Sequence, residues 1–212
     1  MMKLIEENHN SLSDKSIEDA KIQNTAIKAQ KVLVDKRRQL TGTALMAVNI
    51  ICFLLAVFQL YAAGPGNLLA NVLRATHLAF GLSIAFLTFP ATKKTSRQKI
   101  PWYDFILALA GIAVNLYLIV FFEQLTSRAG LTTTTDLIMG CILILVLLEA
   151  SRRVVGPILT GIATFFLIYT LFGPYFPSVI AHRGASIANL IRHMYLTLEG
   201  VYGVALGVSS SF

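Results

Sequence analysis

Five apolar runs succeed one another along this chain, each bounded by polar or turn-forming residues. Thr41 to Tyr61 ends in the turn Gly64-Pro65-Gly66, and Asn71 to Phe89 ends in Pro90 and a basic loop. Phe105 to Phe122 opens on Pro101-Trp102-Tyr103-Asp104. A fourth run, about Thr135 to Ala150, closes on Glu149, Arg152 and Arg153, and a fifth, Val154 to Phe172, closes on Gly173-Pro174. Apolar stretches of about 18 residues or more are the mark of membrane helices. The runs are continuous rather than alternating, which argues against a transmembrane barrel. The pattern predicts an all-α polytopic membrane bundle with about five transmembrane helices.

One more periodic segment follows. Ile187, Leu190, Ile191, Met194, Tyr195 and Leu198 recur at helical spacing, while Asn189, Arg192, His193 and Thr197 face away. This predicts an amphipathic helix over Ser186 to Glu199, lying in the membrane-water interface; packing on protein is the alternative. The last residues, EGVYGVALGVSSSF, read as the entry to a further membrane segment, so the sequence looks cut off there. The expected organisation is a polar N-terminal segment (1–39), a four-helix membrane domain (40–153), a connector helix with an outer loop (154–185) and the start of a further domain (186–212).

Local signals set the expected boundaries. Ser16, with Glu18 and Asp19 behind it, suits a helix start in the N-terminal segment. Trp102 and Tyr103 suit an interfacial aromatic belt, and Asp104 favours a helix N-terminus. Residues Glu123 to Asp136 read as a loop, with Thr134 or Thr135 as the cap of the fourth span.

Composition sharpens the class. The chain has 212 residues, 55% hydrophobic and 14% charged, with a mean hydropathy of +0.66; soluble domains carry about 25% charged residues. The net charge of +7 does not form a nucleic-acid footprint. Eight of the 18 Lys/Arg lie in the first 38 residues among acids, and most others sit in short loops. Lys36, Arg37 and Arg38, then Lys93, Lys94, Arg97 and Lys99, then Arg152 and Arg153 alternate with lightly charged loops at Arg74 and Arg128. By the positive-inside rule this gives a cytoplasmic N-terminus, five crossings and an exit on the outer side after Phe172.

The chain carries no HExxH, CxxC, phosphate-loop or GxSxG motif, so no catalytic, cofactor or metal site and no enzymatic activity are expected. Cys52 and Cys141 lie inside apolar runs and read as reduced packing residues. Asn49, Gln59 and Asn115 either line a path or, more commonly, hydrogen-bond between helices. Glu149 precedes Arg152 by three residues and Arg153 by four, so both can reach it on one helix. That knot is a candidate structural or docking site. Arg74, His77, His182 and Arg183 are candidate outer-face contacts, with Arg74 expected to snorkel to the surface.

Several separated stretches carry a family resemblance: RATHLAFGLSIAFLTFP, RAGLTTTTDLIMGCILILVLLEASRRVVGPIL, LFGPYFPSVIAHRG and IRHMYLTLEGVYGVALGVSSSF. Over Leu40 to Phe212 the chain resembles the fused permeases of tripartite ATP-independent periplasmic (TRAP) transporters, in the 4TM/12TM type that works with TAXI-class binding proteins. The resemblance implies a secondary transporter of the bacterial inner membrane that imports small organic anions, often carboxylates, delivered by a periplasmic TAXI-type binding protein. Residues 40–153 would form the Q-like scaffold, and 186–212 the start of the M-like transport domain. Sodium coupling and the substrate site belong to the M-like domain, so no cofactor is assigned to this chain. The other expectation is a stand-alone membrane scaffold that stabilises a separate transport subunit. The partners implied are the binding protein, the M-like domain and the lipid bilayer, with no nucleic acid.

Overall fold

The apolar runs fold as helices in the computed structural model, which describes residues 21–25, 36–66, 68–92, 95, 98–128 and 132–211. The Ser16 cap and the basic residues Lys93, Lys94 and Arg97 lie outside the described residues. Two compact units divide at Arg37 and Arg38. Within the first, residues 21–25 are helical and exposed.

The second unit holds the bundle: α1 (Gly42–Ala63), α2 (Ala70–Thr88), α3 (Trp102–Val120), the short α4 (Phe122–Ser127), α5 (Thr134–Val154) and α6 (Pro157–Phe172). A 3₁₀ turn, Gly173–Tyr175, follows, then α7 (Ile187–Ile191), a π-helical turn over Arg192–Leu196 and α8 (Val204–Ser211). There is no strand among the described residues. Four segments, Gly42–Ala63, Ala70–Thr88, Trp102–Val120 and Pro157–Tyr175, are long and apolar enough to cross a membrane. Helix α5 matches them in length at 21 residues, about 30 Å at 1.5 Å per residue. It bears Asp136 in its first turn and Glu149, Arg152 and Arg153 towards its end.

Boundaries differ from the sequence reading where capping chemistry decides. The fourth span is capped by Thr133, not Thr134 or Thr135. Asp136 N–H donates to Thr133 Oγ1 at 3.3 Å and Thr133 N–H to Asp136 Oδ2 at 2.8 Å, a reciprocal capping box. Part of the expected loop after Phe122 is helical, as α4. Gly66 closes the first turn: a Cβ there would lie 2.6 Å from the Tyr61 carbonyl oxygen.

Helices α5 and α6 form a hairpin rather than one broken helix. Gly156 takes φ 128°, a conformation that favours glycine, and Pro157 starts α6. Thr160 Oγ1 donates back to Ser151 Oγ at 3.2 Å. Ile144 and Leu147 of α5 share a groove with Ala163, Phe166 and Leu167 of α6.

The core is the three-helix contact of α2, α3 and α5: Leu82 and Phe86, Val114 and Leu118, Leu143 and Val146 are buried. Ile191, Tyr195 and Tyr202 complete it. The terminal segment is therefore partly inside the bundle. The apolar face of the expected amphipathic helix divides: Ile191 and Tyr195 are buried, whereas Ile187 is 63% exposed and Leu198 is 41% exposed. Its α-helical part ends at Ile191 instead of running to Glu199. Helices α1 and α6 are outer elements; Val48 is the single buried residue of α1, and α6 buries none. Cys52 and Cys141 are free and exposed, so the packing role expected of them is not theirs.

Candidate functional site

Two polar constellations sit at different heights in the bundle. The first lies where the C-terminal ends of α2 and α5 meet the N-terminal end of α3. Arg38 NH2 donates to Asp104 Oδ2, and Arg153 NH1 donates to Asp104 Oδ1 at 2.6 Å. Arg153 Nε reaches Glu149 Oε1 at 2.7 Å, and Arg152 grips Glu149 in a fork at 2.8 and 2.7 Å. The network joins three guanidinium groups to two carboxylates and carries one net positive charge. The side chains of Arg38 and Asp104 are fully buried, and that of Arg153 is 1% exposed.

Local structure explains why so costly a group is stable. The last carbonyls of α2 have no helical partners, and the arginines supply donors: Arg38 NH1 to Phe86 O and Leu87 O at 3.4 and 3.3 Å, Arg153 NH1 to Phe89 O at 3.4 Å. Cations at that end and Asp104 in the first turn of α3 also match the helix dipoles. The Arg153 guanidinium lies 5.0 Å from the Phe86 ring centroid, in cation–π range. One buried donor, Arg38 Nε, has no partner. Chemically this is a clamp: its carboxylates are committed to arginines, and no nucleophile–base pair is present.

The second constellation joins α1 and α2 to the terminal segment. Arg74 NH1 donates to the Tyr202 carbonyl at 2.6 Å. Its guanidinium packs so closely on Gly207 that a Cβ there would lie 2.7 Å from NH2. His77 Nδ1 is 2.8 Å from Gln59 Nε2, and His77 Nε2 is 3.2 Å from Ser209 Oγ. An amide nitrogen only donates, so Nδ1 accepts and Nε2 carries the hydrogen that faces Ser209. Further along α3, Asn115 Nδ2 donates to Gly111 O at 2.8 Å and Asn115 Oδ1 accepts from Tyr202 O–H at 2.9 Å. Tyr195 O–H donates to Val114 O at 2.8 Å.

The structure thus sorts the sequence candidates. Glu149, Arg152 and Arg153 do form one cluster, but Arg153 turns inward to Asp104, and only Arg152 and Glu149 keep partly exposed side chains, 39% and 26%. Arg74, expected to snorkel, is half-buried and donates to the Tyr202 carbonyl of the terminal segment. Arg74 and His77 are brought together on the terminal segment. His182 belongs elsewhere: its Nε2 pairs with Tyr169 O at 3.1 Å, its Nδ1 accepts from Gly184 N–H at 3.0 Å, and its ring meets Tyr169 edge-on at 4.6 Å. It locks the loop after α6, beside which Arg183 is exposed. Gln59 bonds between helices as expected, while Asn49 is exposed on α1. Sequence reasoning missed Arg38, Asp104, Tyr195 and Tyr202 as structural partners. One signal was present: an acid at the edge of an apolar run needs a cation, and the chain offers arginines beside each of the other four runs.

Among the described residues, no group of three or more His, Cys, Asp or Glu is placed to hold a metal ion. Fold and site together define a class, a helical-bundle membrane protein whose helix ends are joined by buried charge and whose terminal segment folds back into the bundle. Comparison with protein-family models, with curated proteins and with solved structures finds no match to this chain.

Proposed function

We propose that this chain is the scaffold-forming N-terminal part of a TRAP-type permease of the 4TM/12TM kind. In this reading it sits in a bacterial inner membrane with its N-terminus in the cytoplasm. It supports an M-like domain that imports small organic anions with sodium, delivered by a periplasmic TAXI-type binding protein. The observation that carries the proposal is the stretch IRHMYLTLEGVYGVALGVSSSF, one of the family-like motifs. It is held inside the bundle by Arg74, His77, Asn115 and the buried Tyr195 and Tyr202. A scaffold that must fix the first residues of a neighbouring domain needs this kind of attachment. The rigid, mutually committed charge network suits a static support rather than a moving carrier.

The test is a deletion of the coding region in its native host, followed by uptake of a panel of radiolabelled carboxylates with and without a sodium gradient. The expected result is loss of sodium-dependent uptake of at least one carboxylate, restored by the intact locus and not by one carrying Asp104→Asn with Arg74→Ala. Unchanged uptake across the panel would sink the proposal.

A further inference from the structure

At the end of the bundle opposite the charge network, a cavity of about 450 Å³ opens between the start of α2, the α3–α4 junction, the start of α5 and the π-helical turn. That volume is in the range of small-molecule sites, about 300–1,000 Å³. Its polar wall is formed by Asn71, Thr126, Arg128, Thr132, Arg192 and Thr197. Leu118, Phe122, Leu125 and Leu196 form the apolar wall.

The charges of the wall do not cancel. Among the described lining residues Asp136 is the single acid, and it is already committed: Oδ1 accepts from Tyr117 O–H at 2.7 Å, and Oδ2 accepts from Thr133 N–H at 2.8 Å. It is 1% exposed. Two arginines then outweigh one acid. Arg128 uses Nε on the Gln124 carbonyl at 3.1 Å, which fixes the plane of its guanidinium fork. Arg192 is steadied by Asn189, NH2 to Oδ1 at 3.0 Å. A guanidinium fork held in place matches two oxygens of a phosphate or carboxylate better than any other common group.

Position selects between those anions. Helix α3 is apolar to Val120, and the cavity begins at the turn after it, where a bilayer places its headgroups. The apolar wall of Leu118, Phe122, Leu125 and Leu196 gives acyl chains a surface to lie against inside the cavity itself. Polar rim, two arginines and an apolar wall fit a molecule with a phosphate at one end and hydrocarbon at the other.

We propose that the cavity between Arg128 and Arg192 binds a phosphate group, that of an anionic phospholipid headgroup or of free phosphate, with the hydrocarbon of a lipid lying against Phe122 and Leu196. This site stands apart from the transporter reading and does not depend on it.

The experiment uses the full chain purified in neutral detergent and probed with phosphatidylglycerol by native mass spectrometry. A parallel arm measures the thermal shift given by millimolar inorganic phosphate without lipid. Wild type is expected to retain one phosphatidylglycerol, Arg128→Gln and Arg192→Gln each to weaken retention about tenfold, and the double variant to lose it. Arg128→Lys with Arg192→Lys, which keeps charge but not the fork, is expected to fall between. An arginine-dependent shift with inorganic phosphate and no lipid retention assigns the site to soluble phosphate. Equal lipid retention by wild type and the double Gln variant, both melting at the same temperature, together with no phosphate shift, overturns the proposal. A double variant that melts lower is replaced by Thr126→Val with Thr132→Val, whose unchanged retention counts against the site in the same way.

Discussion

Tyr202 donates its phenolic hydrogen to the Asn115 side-chain oxygen at 2.9 Å, across 87 residues of sequence. Both groups are buried, and Asn115 passes its own amide hydrogen to Gly111. Asn115 is thereby satisfied by its own helix on one side and by the terminal segment on the other. Tyr202→Phe removes one interhelical hydrogen bond, worth about 0.6 kcal/mol on average and up to about 1.7 in membrane proteins. The expected outcome is faster amide hydrogen exchange over 195–211 with the rest of the bundle unchanged. Unaltered exchange would mean that the contact does not hold the segment.

The Asp104 carboxylate stands between two buried arginines, and its loss should be the most damaging single polar change. Asp104→Asn removes the carboxylate that Arg38 and Arg153 both contact, leaving Arg153 with Glu149 and Arg38 with the backbone carbonyls of Phe86 and Leu87. Breaking a buried pair in this way costs about 3–5 kcal/mol. The measurement is thermal denaturation in detergent. Arg38→Met with Arg153→Met in the Asp104→Asn background should recover much of the loss, since it removes the uncompensated charges. A triple variant as unstable as the single one would show that the carboxylate acts by some other route.

Gly140 is where α5 lets the terminal segment approach. A Cβ there would lie 2.3 Å from Ile191 Cγ2 and 3.2 Å from Tyr195 Cβ. Ile191 is β-branched and buried, so it cannot swing aside. Gly140→Ala should cost about 1–3 kcal/mol through overpacking, and Ile191→Ala in the same chain should recover part of it. Additive losses in the double variant would contradict the contact.

Cutting the chain after Pro174 should leave a bundle that still inserts, because α1, α2, α3, α5 and α6 are complete without the remainder. It should melt at a lower temperature than the full chain, since Asn115, Arg74 and the Gly140 face lose their partners. Protease protection in vesicles reads insertion, and a melting curve reads stability. Failure to insert would give the terminal segment a part in folding as well as in packing.

Orientation rests on the loop charges, so the basic loop is its test. Replacing Lys93, Lys94, Arg97 and Lys99 by glutamate should disturb topology, seen as changed labelling of single cysteines from each side of the membrane. Labelling identical to the parent chain would overturn the positive-inside argument for a cytoplasmic N-terminus.

The sequence makes the spans legible because a membrane helix is a local object. Its length, apolar content and flanking Gly or Pro all lie within some 25 residues, and α1, α2 and α3 begin and end within three residues of the expected limits. The Glu149–Arg152–Arg153 cluster is legible for the same reason, being one turn of one helix. Asp104 shows where that reach ends. Its capping value can be read beside Pro101, but its partners lie 66 residues before it and 49 after it. The terminal segment shows a second limit: its period of 3.6 is real, yet a period cannot say whether lipid or protein covers the apolar face. Here Gly140 decides, by removing the side chain that would have kept Ile191 and Tyr195 outside.

The His77 contacts bear on how the chain is made. Ser209 leaves the ribosome 132 residues after His77, roughly 7–26 s later at about 5–20 residues per second. During that interval Gln59 of α1 has been made and can meet His77, whereas the terminal segment that bonds Arg74 and His77 has not. The contacts of Arg74 and His77 with the terminal segment are thus among the last of the bundle to form, after its apolar helices are all in place.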